Sequence, residues 1–294
     1  MARVAKKRAN IKRDITAGSL ALRAVMTENF ETIAQAMIDQ IMVRLAKLPE
    51  SQRLTAINDL KKTGVAEYKA AMLASMSVVA FDSLEAVRKE VPAAKSVKLM
   101  ENEESLLLGE FEELPASIRA KVFKQYQLLS LTQLDDLQKE ILFQFNHSID
   151  STDSLDLIRK DLEDTAFEFT SGPRVQTGAA SMAAQVINET RNSFFDDPEV
   201  QDEIDAFEFV NEDPVSPICQ DLAGRIFEKD DPDRFRYTPP LHFNCKSWMR
   251  PILKGNLKGR EITGLTPSTK KIEDSIQFAD AVCGCGDIHL EIPK

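Results

Sequence analysis

Cysteine is scarce in this chain: four in 294 residues, every one beyond position 218. That number and placement do not make a disulfide framework, and they point to a reducing compartment with a local thiol or metal role near the C-terminus. Histidine is scarcer still, with His147, His242 and His289 the complete set, so imidazole acid–base chemistry has few centres. Glycine (11) and proline (13) are too few for a collagen-like or low-complexity chain, and 43% hydrophobic residues predict a folded one. The longest uncharged apolar stretch, Ala70 to Phe81, falls short of the roughly 18–20 residues that cross a bilayer, so no membrane insertion is expected. Asp14 and Arg23 interrupt the place where a secretory apolar core would lie, and no cleaved signal peptide is expected either. GxSxG, HExxH, P-loop and GxGxxG patterns are all missing.

What is present begins with charge. The formal net charge is −10, but residues 1–13 carry Arg3, Lys6, Lys7, Arg8, Lys12 and Arg13 with no acid. An arm of this composition binds a polyanion such as a nucleic-acid phosphate backbone through counterion release, or is a solvated terminus; both readings are open. Residues 196–233 hold fourteen acids against Arg225 and Lys229, whereas 244–271 hold seven bases against Glu261 alone. Adjacent blocks of opposite sign are expected to pair with each other.

Helical periodicity dominates the first 170 residues. Leu22, Met26, Phe30, Ile33, Met37, Ile41, Leu45 and Leu48 recur at steps of three or four, predicting one long amphipathic helix before Pro49. Leu54, Ile57, Leu60, Tyr68, Met72, Met76, Val79, Leu84, Val87 and Val91 continue the spacing, with Gly64 as a break and Pro92 as a stop. A third stripe runs from Ile118 through Val122, Tyr126, Leu129, Leu137 and Ile141 to Phe145, ending near Asn146. A fourth follows the capping cluster Asp150–Ser154 with Leu155, Ile158 and Leu162. Ser171-Gly172-Pro173 is the expected boundary, after which Ala179 to Phe195 is helical again. From Ala206 to Pro251 short apolar pieces (Phe207–Val210, Arg225–Phe227, Trp248-Met249) alternate with prolines, the texture of short strands and loops. Ile288 to Ile292 alternates like one further strand. The expected fold class is mainly α: a basic arm (1–18), a long helical domain (19–170) and a small α+β module with a C-terminal tail (174–294).

The candidate chemistry lies in that module. Cys219, His242 and Cys245 offer two thiols and an imidazole at spacings a turn can bring together, and Cys283 or Cys285 could add a fourth ligand for tetrahedral Zn2+. Small buried cysteines beside a hydrogen-bonded histidine would give the same pattern without metal.

The residues around the cluster carry a family resemblance. Asp213-Pro-Val-Ser216-Pro-Ile-Cys219-Gln-Asp-Leu222-Ala-Gly224-Arg-Ile-Phe227, then Pro239-Pro240-Leu-His242-Phe-Asn-Cys245-Lys-Ser247, resembles the C-terminal module of tailed-phage minor head proteins of the Mu F-like and SPP1-type group. The preceding polar helix, with Asn188-Glu189-Thr190-Arg191-Asn192, is similar to the one leading into the family module, and the resemblance covers about residues 176–252. Ser216 and Ser247 stand where the family pattern has cysteines, Phe243 where it has proline and Lys246 where it has arginine. Leu222, Gly224, Phe227, Pro239 and Pro240 are the expected fold-specifying positions, Gly224 supplying a turn with positive φ.

The resemblance implies a structural, non-enzymatic role in head morphogenesis, DNA packaging or ejection. It places the chain in the virion at or near the portal vertex, assembled in the host cytoplasm, with the portal protein as partner. The major capsid protein, packaged dsDNA and other copies of the chain are further candidate partners. Two other readings stay open. One is a zinc-stabilised nucleic-acid-binding adaptor contacting its ligand through 244–271, with Trp248 and Phe243 stacking beside Lys246 and Arg250. The other is a metal-dependent nuclease built on His242 and Cys245 with Asp213 or Asp221 as base, against which the acidic surface at 196–233 would repel its substrate.

Overall fold

The computed structural model describes residues 2–57, 60–91, 114, 116–151, 154–211, 216–243, 245–257 and 259–263, the side chains of residues 2–12 and 117 excepted. It is mainly helical, with a small three-stranded antiparallel sheet toward the C-terminus. Helix α1 (Ala2–Leu45) runs uninterrupted through residue 18, so the expected boundary between arm and helical domain falls inside one helix. The predicted stripe is buried from Leu22 to Leu45, and Ile15 already lies in the core at 4% exposure. Pro49 ends the helical register as anticipated, but the chain turns into a 3-10 helix (Glu50–Ile57) rather than resuming an α-helix. The tighter three-residue repeat leaves Leu54 exposed, contrary to its place in the sequence stripe, and buries Ala56 instead.

Helix α2 (Val65–Arg88) starts after Gly64 at φ 87° and buries Tyr68, Met72, Met76, Ala80, Leu84 and Val87. By length and composition alone it is apolar enough to cross a membrane, yet here it packs on α1 and on α6, described below. Its buried serines are paired internally, Ser77 Oγ donating to the Leu73 carbonyl (2.8 Å) and Ser83 Oγ to the Ile187 carbonyl (3.2 Å). The third stripe forms α3 (Ala116–Gln125), a π-helical turn (Tyr126–Leu131) and α4 (Thr132–Ser151). The π turn carries the buried hydrogen bond between Tyr68 and Ser130. α4 extends past Asn146 to Ser151 because its last turn is held from outside: Ser148 Oγ donates to Asp161 Oδ2 at 2.7 Å. Asp161 belongs to α5 (Leu155–Ser171), capped by Ser154, whose hydroxyl accepts from the Leu157 N–H.

Gly172 separates α5 from α6 (Pro173–Phe195), and a Cβ there would stand 2.7 Å from the Glu168 carbonyl oxygen, so glycine is needed for the tight reversal. α6 is the axis of the molecule. It packs on α1, α2, α3 and α5 and then on the sheet, and one buried apolar cluster runs from Ile15 to Met249. The helix break at residues 171–173 therefore does not divide the core.

After α7 (Pro198–Gln201) come β1 (Ile204–Val210), α8 (Pro217–Leu222), β2 (Ile226–Glu228), α9 (Pro232–Arg236) and β3 (Trp248–Leu253), with strand order β2-β1-β3. Each short piece expected from the sequence lies in or beside one of these strands. Phe207 and Phe209 face the main core, with the Phe207 ring 5.4 Å from that of Phe195 on α6. Ala206, Ile226 and Ile252 form a separate small cluster covered in part by Leu257. Gly224 has φ +81°, the left-handed turn expected of it, and the Pro239-Pro240 bond is cis. The expected strand at 288–292 lies outside the described residues.

The opposed charge blocks meet within the module, as anticipated. Arg250 and Arg260, from the basic block, both bond Oε2 of Glu208 on β1, the Arg260 contact at 2.6 Å. Glu208 is 5% exposed. Burial would raise its carboxyl pKa, but the two guanidiniums outweigh that and hold it below the usual carboxylate range.

Candidate metal centre

Three local devices bring the cluster together. Ser216 caps α8 by accepting the Cys219 N–H (3.3 Å), which places Cys219 in the first helical turn with its side chain fully buried. The chain after the cis Pro239-Pro240 bond buries Leu241, and the Cys245 N–H then closes a turn onto the His242 carbonyl (3.2 Å). That turn presents His242 and Cys245 to the same point, three residues apart. Cys219 Sγ lies 3.2 Å from His242 Nε2 and 3.8 Å from Cys245 Sγ, and the three donor atoms all fall within 4.8 Å of one another.

The surrounding polar groups are aimed at this cluster. His242 Nδ1 donates to the Phe243 carbonyl (2.9 Å), which fixes the ring with Nε2 turned toward the sulfurs. This is how a metal-binding histidine is usually oriented. Ser216 Oγ sits 2.9 Å from His242 Nε2, and Ser247 Oγ donates to Cys219 Sγ at 3.4 Å. Asn211 Nδ2 donates to Ser247 Oγ (2.8 Å), and Asn188 Nδ2, from α6, donates to the Ser247 carbonyl (3.1 Å). Both serines that replace cysteines of the resembling pattern therefore touch the cluster with their hydroxyls.

Electrostatics split the two thiols. The hydrogen bond from Cys219 holds Cys245 well below the ordinary thiol range despite its burial, with His242 adding to the effect. The same contact, followed by burial, pushes Cys219 up. Its hydrogen bond with Cys245 raises the His242 pKa against the opposing cost of burial. Both cysteines are free.

This group can hold a metal ion. Tetrahedral zinc with Zn–S bonds of about 2.3 Å would separate two sulfurs by about 3.8 Å, which matches the Cys219–Cys245 spacing of 3.8 Å. Cys283 and Cys285, the expected sources of a fourth ligand, lie outside the described residues, as do His289 and Asp213. His147 is exposed on α4, and Asp221 is ion-paired with Arg225 at 3.0 Å. Trp248, a candidate stacking group, is 1% exposed and belongs to the core, whereas Phe243 is 47% exposed. Of the basic arm, Arg13 is exposed beside Asp14 (3.7 Å); the side chains of Arg3, Lys6, Lys7, Arg8 and Lys12 lie outside the described residues.

Two residues not singled out for a role hold the site to the helices. Asn188 is one. The other is Arg191, 1% exposed, which donates to the Met249 carbonyl (3.2 Å) and forms a two-pronged bond to Glu90 (2.8 and 3.0 Å) just beyond α2. Their signal in the sequence was a pair of polar side chains three apart on one face of a helix otherwise lined by small and apolar residues. No family model, curated protein or solved structure compared with the chain matches it.

Proposed function

We propose that this chain is a structural minor head protein of a tailed phage, associated with the portal vertex, with a C-terminal module fastened by Zn2+ through Cys219, His242 and Cys245. The observation that carries the reading is convergence. Ser216, Cys219, His242, Cys245 and Ser247 span 32 positions of the resembling motif, yet their side chains or backbone meet at one point, beneath the polar helix that precedes the motif. A metal there ties α8, which follows β1, to the turn that leads into β3, and its binding energy adds directly to the stability of a module with little sheet of its own. The long helical region offers the extended surface that contact with a ring of portal subunits or with another copy requires.

In this reading the chain is not an enzyme, and the ion has a structural task. The adaptor reading loses one of its two stacking groups to the core, since Trp248 is buried, and two of its cations to Glu208.

The deciding experiment is a quantitative protein census of purified phage particles beside empty proheads. The chain is expected at a low, fixed ratio to the portal protein, and its absence from both would overturn the assignment.

A further inference from the structure

Cys219 and Cys245 have a second chemistry open to them. Their sulfurs are in van der Waals contact at 3.8 Å, both side chains are buried, and each is a free thiol. The two come from segments fixed independently, one in the first turn of α8 and one in the irregular chain before β3. A disulfide requires sulfurs about 2.0 Å apart, so bond formation asks the two sulfurs to approach by about 2 Å. No other described cysteine competes for either sulfur.

We propose that Cys219 and Cys245 form a reversible disulfide when a small peroxide reaches the module without its metal. The Cys245 sulfur attacks one peroxide oxygen and breaks the O–O bond. The thiol proton and the departing hydroxide leave as water, and Cys245 becomes a sulfenic acid. The Cys219 sulfur then displaces the hydroxyl from the Cys245 sulfur and forms the S–S bond. Its proton passes to the leaving hydroxide, which departs as water. In sum, two thiols lose two electrons and two protons, and hydrogen peroxide is reduced to two waters. Ser247, which donates to Cys219 Sγ, and Ser216, beside His242, supply hydroxyls where further cysteines would give competing partners. Among the described residues, this leaves each sulfur one cysteine to pair with.

The disulfide and the metal exclude each other, because the bond consumes two of the three ligand atoms. This protective arm of the inference rests on the zinc reading above; the pairing itself rests on the sulfur geometry alone. Oxidation would then eject the ion and substitute a covalent staple for it at the same place.

The test uses the full chain carrying Cys283→Ser and Cys285→Ser, so that only the two buried thiols remain. Chelator-treated and zinc-loaded samples are exposed to hydrogen peroxide and followed by intact mass and peptide mapping. The chelated protein is expected to lose two hydrogens in a Cys219–Cys245 link that dithiothreitol reverses, at least tenfold faster than the zinc-loaded protein. With Cys219→Ser added, Cys245 should stop at a sulfenic acid that dimedone traps. Failure of the chelated protein to link, or its passage directly to sulfinic acid, would overturn the proposal. Equal linking rates with and without zinc would leave the disulfide pair standing and remove the metal from the site.

Discussion

Arg191 on α6 and Glu90 beyond the end of α2 form a two-pronged ion pair, 101 residues apart in sequence, with the arginine almost wholly buried. The same guanidinium bonds the carbonyl of Met249 on β3. One side chain therefore joins a helix of the bundle to the strand that follows the Cys–His cluster.

Breaking that pair should be costly from either side. Glu90→Ala leaves a buried cation without its partner, and removing one member of such a pair costs about 3–5 kcal/mol. Because Glu90 is itself 13% exposed, the lower end is expected. Urea unfolding of Glu90→Ala, of Arg191→Leu and of the double variant should show the double to be less damaging than the sum of the singles. Additive losses would mean that the two residues act separately.

The metal should depend on the cluster and be tightened by a residue next to it. Cys245→Ser is expected to abolish bound zinc and lower the melting temperature, with no metal in the wild type and unchanged stability as the contrary result. Ser216→Cys puts a thiol beside His242 Nε2, where the hydroxyl now lies at 2.9 Å. It should raise zinc affinity by tenfold or more in competition with a chromophoric chelator. The apoprotein should meanwhile lose up to about 1 kcal/mol through weakening of the α8 cap. A stability loss without a gain in affinity would place Ser216 outside the metal's reach.

Glu208 should contribute an acid limb to stability. Its folded pKa is depressed by Arg260 and Arg250 against the opposing effect of burial, so its stabilisation is present above the unfolded-state pKa of about 4.3 and is lost as pH falls through the lower folded value. Glu208→Gln should be less stable than wild type at pH 7, and the difference should shrink as the pH is taken below about 4. A constant difference across that range would assign the loss to packing rather than to charge.

Replacing the six arm bases by Gln should weaken duplex DNA binding equally across sequences and flatten its salt dependence. If all six neutralise phosphates, the slope of log K against log salt should fall by about 5. Unchanged affinity and slope would sink the arm contact. Affinity and a salt slope that survive in part would assign the remaining contact to cations such as Lys246 and Lys254, both exposed in the module.

The helical bundle was legible because its elements bury stripes at the helical period: Leu22 to Leu45 on α1 and Ile118 to Phe145 across α3 and α4 lie where periodicity put them. Gly64, Gly172-Pro173 and Ser154 marked real ends for local reasons of backbone geometry and capping. Periodicity failed where the helix changed type. A stripe at steps of three and four does not distinguish an α-helix from the 3-10 turn at 50–57 or the π turn at 126–131, because the hydrogen-bond register is set by tertiary packing. The central place of α6 was hidden for another reason. Its buried face includes Ser181, Gln185, Asn188, Thr190, Arg191 and Asn192, which read as surface until the groups that pair with several of them are known. In the site, the short His242–Cys245 spacing made two donors visible. Residue type alone did not reveal that Ser247 and Asn188 belong to the same assembly, since their contacts cross 28 and 59 positions.

The continuity of α6 through bundle and sheet bears on how the chain can be cut. A fragment beginning at residue 174 keeps the Cys–His cluster but strips α6 of α1, α2 and α3, leaving Val175, Ala179, Met182, Val186 and their neighbours bare to solvent. A fragment ending at 170 leaves the matching faces of α1 and α2 uncovered. Either piece alone would be expected to aggregate or to recruit its missing half, and mixing the two after separate expression would rebuild the molecule around a shared helix.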